Sequence, residues 1–219
     1  MTRAELAGKI DLTLLSPVAT ELNIASLVAD GLNYRFASVC VPPCHVALAR
    51  SIIRDNPLKI TAVTGFPLGF SSADSKLFES VEAAGCGASE IDMVMNVSLF
   101  KSGRTSAVEK EIRRVVEALP GAVIKVIIEA CYLTDQEKRL ALELSVNAGA
   151  RFVKTSTGWG PGGARVEDIR LLHDAAQGRI LLKASGGIKT TGDALEMIGA
   201  GADRVGSSSG VAIVEGFYG

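Results

Sequence analysis

The 219-residue chain is poor in aromatic side chains, at 5%, and has a single tryptophan, Trp159. Single-stranded nucleic acids are usually gripped on aromatic stacking platforms, so this scarcity argues against that class of partner. An excess of either charge is also missing. With 23 Lys and Arg against 24 Asp and Glu, the formal net charge is −1, and no basic field exists to capture nucleic acid or an anionic membrane. No apolar run approaches the ~18 residues that a bilayer crossing requires. The start, Met1-Thr2-Arg3-Ala4-Glu5, has no signal-peptide pattern, so a soluble cytoplasmic protein is expected. Four cysteines are too few for a disulfide framework in a chain of this length. Cys40, Cys44 and His45 stand close together, but two prolines lie between the cysteines and no second Cys/His pair follows, so neither a metal site nor any cofactor is expected.

Apolar residues make up 47% and charged residues 21% of the chain, enough for a sizeable core. Short runs rich in Val, Ile and Leu alternate with helix-like segments. The strand candidates are Ile10–Leu14, Phe36–Val41, Lys59–Thr64, Ser89–Met95, Val123–Ile128, Arg151–Thr155, Arg179–Ala184 and Asp203–Gly206. Helices are expected near 20–31, 43–55, 72–86, 104–118, 134–148, 164–177 and 189–200, with a short one after Gly206. In the 134–148 segment, Thr134 and Glu137 are spaced as a capping box, Leu140, Leu144 and Ala148 share a face, and Gly149 ends the helix. Eight βα units imply a single-domain (β/α)8 barrel, of the TIM type, over residues 1–219. An open doubly wound sheet is the alternative. It would usually carry a glycine-rich turn after the first strand, where this chain has Leu14-Leu15-Ser16-Pro17.

Three lysines stand inside strand candidates, at positions 125, 154 and 183, a constant step of one βα unit. Burying an ammonium group in an apolar strand is costly, so each needs a polar cavity or a carboxylate partner. In barrels the functional face is formed by the C-terminal ends of the strands. Lys154 and Lys183 fall there, with Asp92 on strand four and Asp11 and Thr13 on strand one; Lys125 lies early in strand five and is expected deeper. Asp92 could simply neutralise a buried lysine. Alternatively, Lys154 or Lys183 is a nucleophile. A free lysine has a pKa near ~10.4, and making it largely neutral at pH 7 requires about 4 kcal/mol, which partial burial and a neighbouring cation can supply. A neutral amine condenses with a carbonyl to an iminium, an electron sink that permits carbon–carbon cleavage without a metal.

Gly186-Gly187 follows strand seven, and Gly206-Ser207-Ser208-Ser209-Gly210 follows strand eight. Loops after these two strands form the common phosphate cradle of the fold, to which Lys189 would add charge. Turn glycines and a serine cap are the alternative reading. Trp159 and Phe66 follow strands six and three and can either wall a pocket or pack; His45 and His173 lie in helix-like segments and receive no catalytic role.

Several segments together resemble the deoxyribose-phosphate aldolase family of class I aldolases: Ile10-Asp11-Leu12-Thr13-Leu14-Leu15, Phe36-Ala37-Ser38-Val39-Cys40-Val41, Val63-Thr64-Gly65-Phe66-Pro67-Leu68-Gly69, Glu90-Ile91-Asp92-Met93-Val94, Lys125-Val126-Ile127-Ile128-Glu129, Val153-Lys154-Thr155-Ser156-Thr157-Gly158 and Lys183-Ala184-Ser185-Gly186-Gly187-Ile188. The resemblance spans nearly the whole chain. It implies a (β/α)8 barrel that reversibly cleaves 2-deoxy-D-ribose 5-phosphate into D-glyceraldehyde 3-phosphate and acetaldehyde. By the same resemblance Lys154 is similar to the Schiff-base lysine, Lys183 to the lysine that tunes it, and Asp92 to the acid/base residue. Gly158, Gly186, Gly187, Ser208 and Ser209 match phosphate contacts, while Lys125, Asp11 and Thr13 look like a supporting shell. The partners implied are a phosphosugar and an aldehyde, and barrels of this kind often pair as homo-oligomers. Trp159 stands where relatives carry phenylalanine or lysine, so a lysine contact to phosphate is expected to be missing.

Overall fold

In the computed structural model, which describes residues 1–218, eight parallel strands close into a barrel in chain order, β1 next to β2 and β8 back on β1. The strands are β1 Ile10–Thr13, β2 Ser38–Val41, β3 Lys59–Thr64, β4 Glu90–Val94, β5 Val123–Ile127, β6 Phe152–Lys154, β7 Leu181–Ser185 and β8 Arg204–Ser207. The helices are α1 Arg3–Ala7, α2 Glu21–Tyr34, α3 Val46–Ile53, α4 Ala73–Gly85, α5 Val97–Lys101, α6 Thr105–Ala118, α7 Asp135–Asn147, α8 Val166–Ala176, α9 Thr191–Gly199 and α10 Gly210–Glu215. The (β/α)8 barrel expected from the pattern is therefore present, and the open sheet is excluded by the β1–β8 pairing.

Side chains alternate along each strand, and the two phases have different chemistry. One phase is apolar and packs outward against the helices: Ile10 and Leu12, Val39 and Val41, Ile60 and Ala62, Ile91 and Met93, Ile124 and Val126, Val153, Leu182 and Ala184, and Val205 all belong to one continuous core. The other phase turns into the barrel and is largely polar: Asp11, Ser38, Thr61, Glu90, Asp92, Lys125, Lys154 and Lys183 are all buried. Bulky aliphatics usually fill that space. Burying an ion pair seldom gains stability over well-packed apolar residues, so a charged interior marks the barrel's centre as functional.

Several element ends differ from expectation. Segment 43–55 breaks into a 3-10 turn, Pro43–His45, in which the His45 N–H donates to Pro42 O at 3.0 Å, followed by α3. β7 starts two residues later than expected: Gln177 ends α8 in the left-handed region, and the Arg179 N–H is spent on Ala176 O in the turn. The short helices α1 and α5 were not anticipated; each is a five-residue piece held by a side-chain cap, from Thr2 and Asn96 respectively. In α7 the Thr134–Glu137 capping box forms and Gly149 (φ 83°) ends the helix, but Leu140 is exposed. Leu144 and Ala148 are buried as expected, together with Lys138, Ala141, Leu142 and Ser145, and the Lys138 ammonium is capped by Asp168 at 2.7 Å.

Candidate active site

The inward phase of β4 places Glu90 and Asp92 one above the other, and register sets Asp92 beside Lys125 and Lys154 beside Lys183. One carboxylate collects all three lysines. Asp92 Oδ2 accepts from Lys154 Nζ at 2.8 Å and from Lys183 Nζ at 2.7 Å, while its Oδ1 accepts from Lys125 Nζ at 2.8 Å. Beneath this centre Lys125 also meets Glu90 at 2.6 Å, and Lys183 meets Asp11 at 2.5 Å. Arg204 reaches in from β8 to Asp11 at 2.6 Å and Glu90 at 3.5 Å. Ser38 and Thr61 complete the floor: the Ser38 hydroxyl donates to Asp11 at 2.7 Å, and Lys125 donates to Thr61 at 3.2 Å.

Burial and charge push these groups in different directions. Lys154 is held below the usual lysine range, first because burial penalises the ammonium and then because the Lys183 cation repels it; Asp92 works the other way. Burial would also depress Lys183, but Asp11 and Asp92 outweigh it and hold this ammonium firmly charged. Burial would depress Lys125 too, but Asp92, Asp11 and Glu90 together outweigh it and push this lysine up. Burial disfavours the Asp92 carboxylate, yet Lys125, Lys154 and Lys183 together keep it well below the ordinary range. Cys40, facing the same interior, is pushed up to about 11 by burial and the Asp92 charge.

Above the cluster lies a cavity of about 350 Å³ at the C-terminal mouth of the barrel. Among the residues expected at the site, Lys154, Thr13, Gly158, Gly186, Gly187, Lys189 and Ser208 line it. Lys183, Asp92, Lys125 and Asp11 lie below it and reach it only through Lys154. Ser209 is not part of the wall; its N–H donates to Ser207 Oγ, and Ser207 lines the cavity instead. Gly158, Gly186 and Gly187 have φ values of 85°, 92° and 82°, which side-chain-bearing residues rarely adopt. Gly163 is required for another reason: a Cβ there would lie 2.3 Å from Gly186 O, where the loop after β6 crosses the loop after β7. Trp159 lines the cavity, whereas Phe66 does not. Among the described residues no cluster of three or more potential ligands is arranged to hold a metal ion, and no helix is long and apolar enough to cross a membrane.

The sequence reading missed Glu90, Arg204, Ser38 and Thr61 as members of the cluster. The signal for Glu90 was present, since a residue two before Asp92 on a strand must share its face. Arg204 gave less warning, standing at the outset of β8 on the far side of the barrel.

A closed parallel barrel with a buried lysine at the floor of the cavity on its C-terminal face defines the class: a (β/α)8 enzyme. The comparisons narrow it. Residues 8–216 match the model of the DeoC/LacD family of aldolases, and the chain belongs to that family. It is 51% identical over 213 residues to a deoxyribose-phosphate aldolase of Thermoanaerobacter sp. (strain X514), covering 96% of each chain. Among solved structures it superposes on QR15, an aldolase, with a TM-score of 0.93 at 43% identity, covering 96% of this chain and 94% of that one. A deoxyribose phosphate aldolase from Aeropyrum pernix, described as tetrameric, gives a TM-score of 0.93 at 36% identity over 98% of this chain and 91% of that one.

Proposed function

We propose that this chain is a class I aldolase that reversibly cleaves 2-deoxy-D-ribose 5-phosphate into D-glyceraldehyde 3-phosphate and acetaldehyde, with Lys154 as the Schiff-base residue. The observation that carries the reading is the shared Asp92 oxygen. It ties Lys154, the one lysine of the three that reaches the cavity, to a permanently charged neighbour. The interior holds four cations, Lys125, Lys154, Lys183 and Arg204, against three carboxylates, Asp11, Glu90 and Asp92. Lys59 also approaches Glu90, at 3.5 Å, but from the half-exposed end of the barrel. Of these cations Lys154 is the one whose ammonium form burial and the Lys183 charge disfavour, which supports it as the amine that reacts.

Neutral Lys154 attacks C1 of the open-chain sugar phosphate. Its nitrogen loses a proton while the carbonyl oxygen gains one, giving a carbinolamine; loss of water leaves the iminium. Asp92, in contact with the reacting nitrogen, takes and returns protons in these steps. Deprotonation of the 3-hydroxyl breaks the C2–C3 bond, and its electron pair moves into the iminium to form an enamine as glyceraldehyde 3-phosphate leaves. Protonation of the enamine at C2 and hydrolysis release acetaldehyde and restore Lys154. The phosphate is held on the opposite rim by Gly158, Gly186, Gly187, Ser208 and the exposed Lys189 ammonium, all at the cavity wall. Asp11 and Lys125 hold the charges of Lys183 and Asp92 in place, and Thr13, its hydroxyl turned to Asp11 O at 2.9 Å, shapes the rim. The chain is proposed to work in the cytoplasm and as a homo-oligomer.

The test is borohydride reduction in the presence of 2-deoxyribose 5-phosphate, followed by mass spectrometry. A single covalent adduct on Lys154 is expected, and an adduct confined to Lys183 or to a surface lysine would overturn the assignment.

A further inference from the structure

Among the described residues, four other than glycine have a positive φ: Arg35, Arg54, Glu129 and Gln177. Arg35 and Gln177 end helices in the left-handed region, where this conformation is ordinary, and Arg54 ends α3 on the exposed surface with φ 52° and ψ −123°. Glu129 follows β5 instead, on the catalytic face of the barrel, with φ 47° and ψ 65° and almost no exposure. A buried acidic residue in strained backbone persists only where its surroundings hold it, and such residues concentrate at functional sites. Its surroundings are specific. Both carboxylate oxygens accept from the Thr157 N–H at 3.3 Å, and the Thr157 hydroxyl donates to Oε2 at 2.5 Å. Thr157 Oγ1 in turn accepts from the Trp159 N–H at 3.0 Å, and the next residue of the β5 end, Ala130, donates its N–H to Thr155 O at 2.8 Å.

The segment so held starts three residues after Lys154. Thr157 and Trp159 line the Lys154 cavity and also a second, smaller cavity of about 230 Å³, so they form the partition between the two. Nothing in the lysine chemistry uses Glu129, and Thr157 needs no carboxylate to fold a turn. We propose that Glu129 is a positioning residue for the aldolase reaction: its carboxylate pins Thr157 and thereby sets Gly158 and Trp159 as the wall against which the phosphorylated end of the substrate is placed. This rests on the functional reading above for the identity of the substrate, but the pinned loop can be probed without turnover.

Trp159 is the only tryptophan, so its fluorescence reports this loop directly. The experiment compares wild type, Glu129→Gly and Glu129→Gln by melting temperature, Trp159 emission, titration with inorganic phosphate, and steady-state cleavage. Glycine suits φ 47° better than glutamate does, which offsets part of the lost hydrogen bonding, so Glu129→Gly is expected to fold with a modestly lowered Tm. Its Trp159 emission should shift to the red, and its phosphate dissociation constant and KM should rise by roughly tenfold with kcat little altered, as for loss of a hydrogen bond to a charged group. Glu129→Gln keeps an acceptor for the Thr157 hydroxyl and should fall between the two. Unchanged emission and unchanged phosphate affinity in Glu129→Gly would overturn the proposal, as would a loss of kcat that merely follows a loss of Tm. A wild type that binds phosphate but does not cleave the sugar phosphate would overturn the substrate assignment and leave the emission and phosphate arms to decide the role of Glu129.

Discussion

Lys154 and Lys183 donate to the same oxygen of Asp92, so neither lysine can change its charge without the other feeling it. Among the described residues, Lys183 has a second carboxylate, Asp11, at 2.5 Å, and Lys154 has only Asp92. That asymmetry favours the ammonium form of Lys183 over that of Lys154, in keeping with the proposed role of Lys154 as nucleophile.

Replacing Lys183 with methionine removes the cation that repels a protonated Lys154 and leaves Asp92 with one partner fewer. Both changes push the Lys154 pKa upward, while its burial persists. The acidic limb of the pH–rate profile is expected to move to higher pH, with adduct formation at pH 7 falling about tenfold for each pH unit moved. Rapid-mixing measurement of adduct formation between pH 6 and 10 checks this, and a profile identical to wild type would contradict it.

Asp92→Asn acts in the other direction on Lys154, whose pKa falls further once its carboxylate is gone. Activity should nevertheless drop by about 10²–10⁴-fold, because proton transfer at the reacting nitrogen is lost, and raising the pH should not restore it. Three lysines also lose their common partner. Urea unfolding is expected to register a loss of about 3–5 kcal/mol.

Acid should destabilise the barrel through Asp11 and Asp92. Burial opposes their ionisation, but the surrounding lysines and Arg204 overcome it and hold both pKa values below the ordinary carboxylate range. Unfolded aspartates titrate near ~3.9, so the stabilisation is fully present above about pH 5 and fades as the pH falls below ~4 towards the folded values. A Tm that stays level from pH 6 to pH 3 would refute this.

Gly163→Ala should impair phosphate binding without touching a lysine. The new Cβ meets the Gly186 carbonyl at 2.3 Å, so the loops after β6 and β7 must separate. KM for the sugar phosphate is expected to rise by roughly tenfold or more, the reaction with unphosphorylated deoxyribose being less affected. Gly199→Ala is the control: it ends α9 with open space around it, and should leave kinetics unchanged.

Much of the barrel is legible in the chain because strand and helix periods are local properties. Each β-run announces itself by apolar alternation, and α7 by its Thr134–Glu137 box, whose two hydrogen bonds need only neighbours in sequence. The misjudged ends fail for equally local reasons that a pattern overlooks: the 3-10 turn Pro43–His45, and the left-handed Gln177 that delays β7. Leu140 misled because helical spacing says which residues share a face but not how much of that face is covered.

The functional centre divides in the same way. Sequence alone placed Lys125, Lys154, Lys183, Asp11 and Asp92 within strand runs of a barrel, where a charged residue needs a polar cavity or a partner. Only the closed tertiary structure decided that one Asp92 side chain serves three lysines, that Arg204 and Glu90 complete the charge balance, and that Glu129 grips the loop beyond Lys154. Those relations join strands far apart in the chain. They depend on barrel closure and on the loss of water from its interior, where the strength of each charge is set by its spatial neighbours and not by its neighbours in sequence.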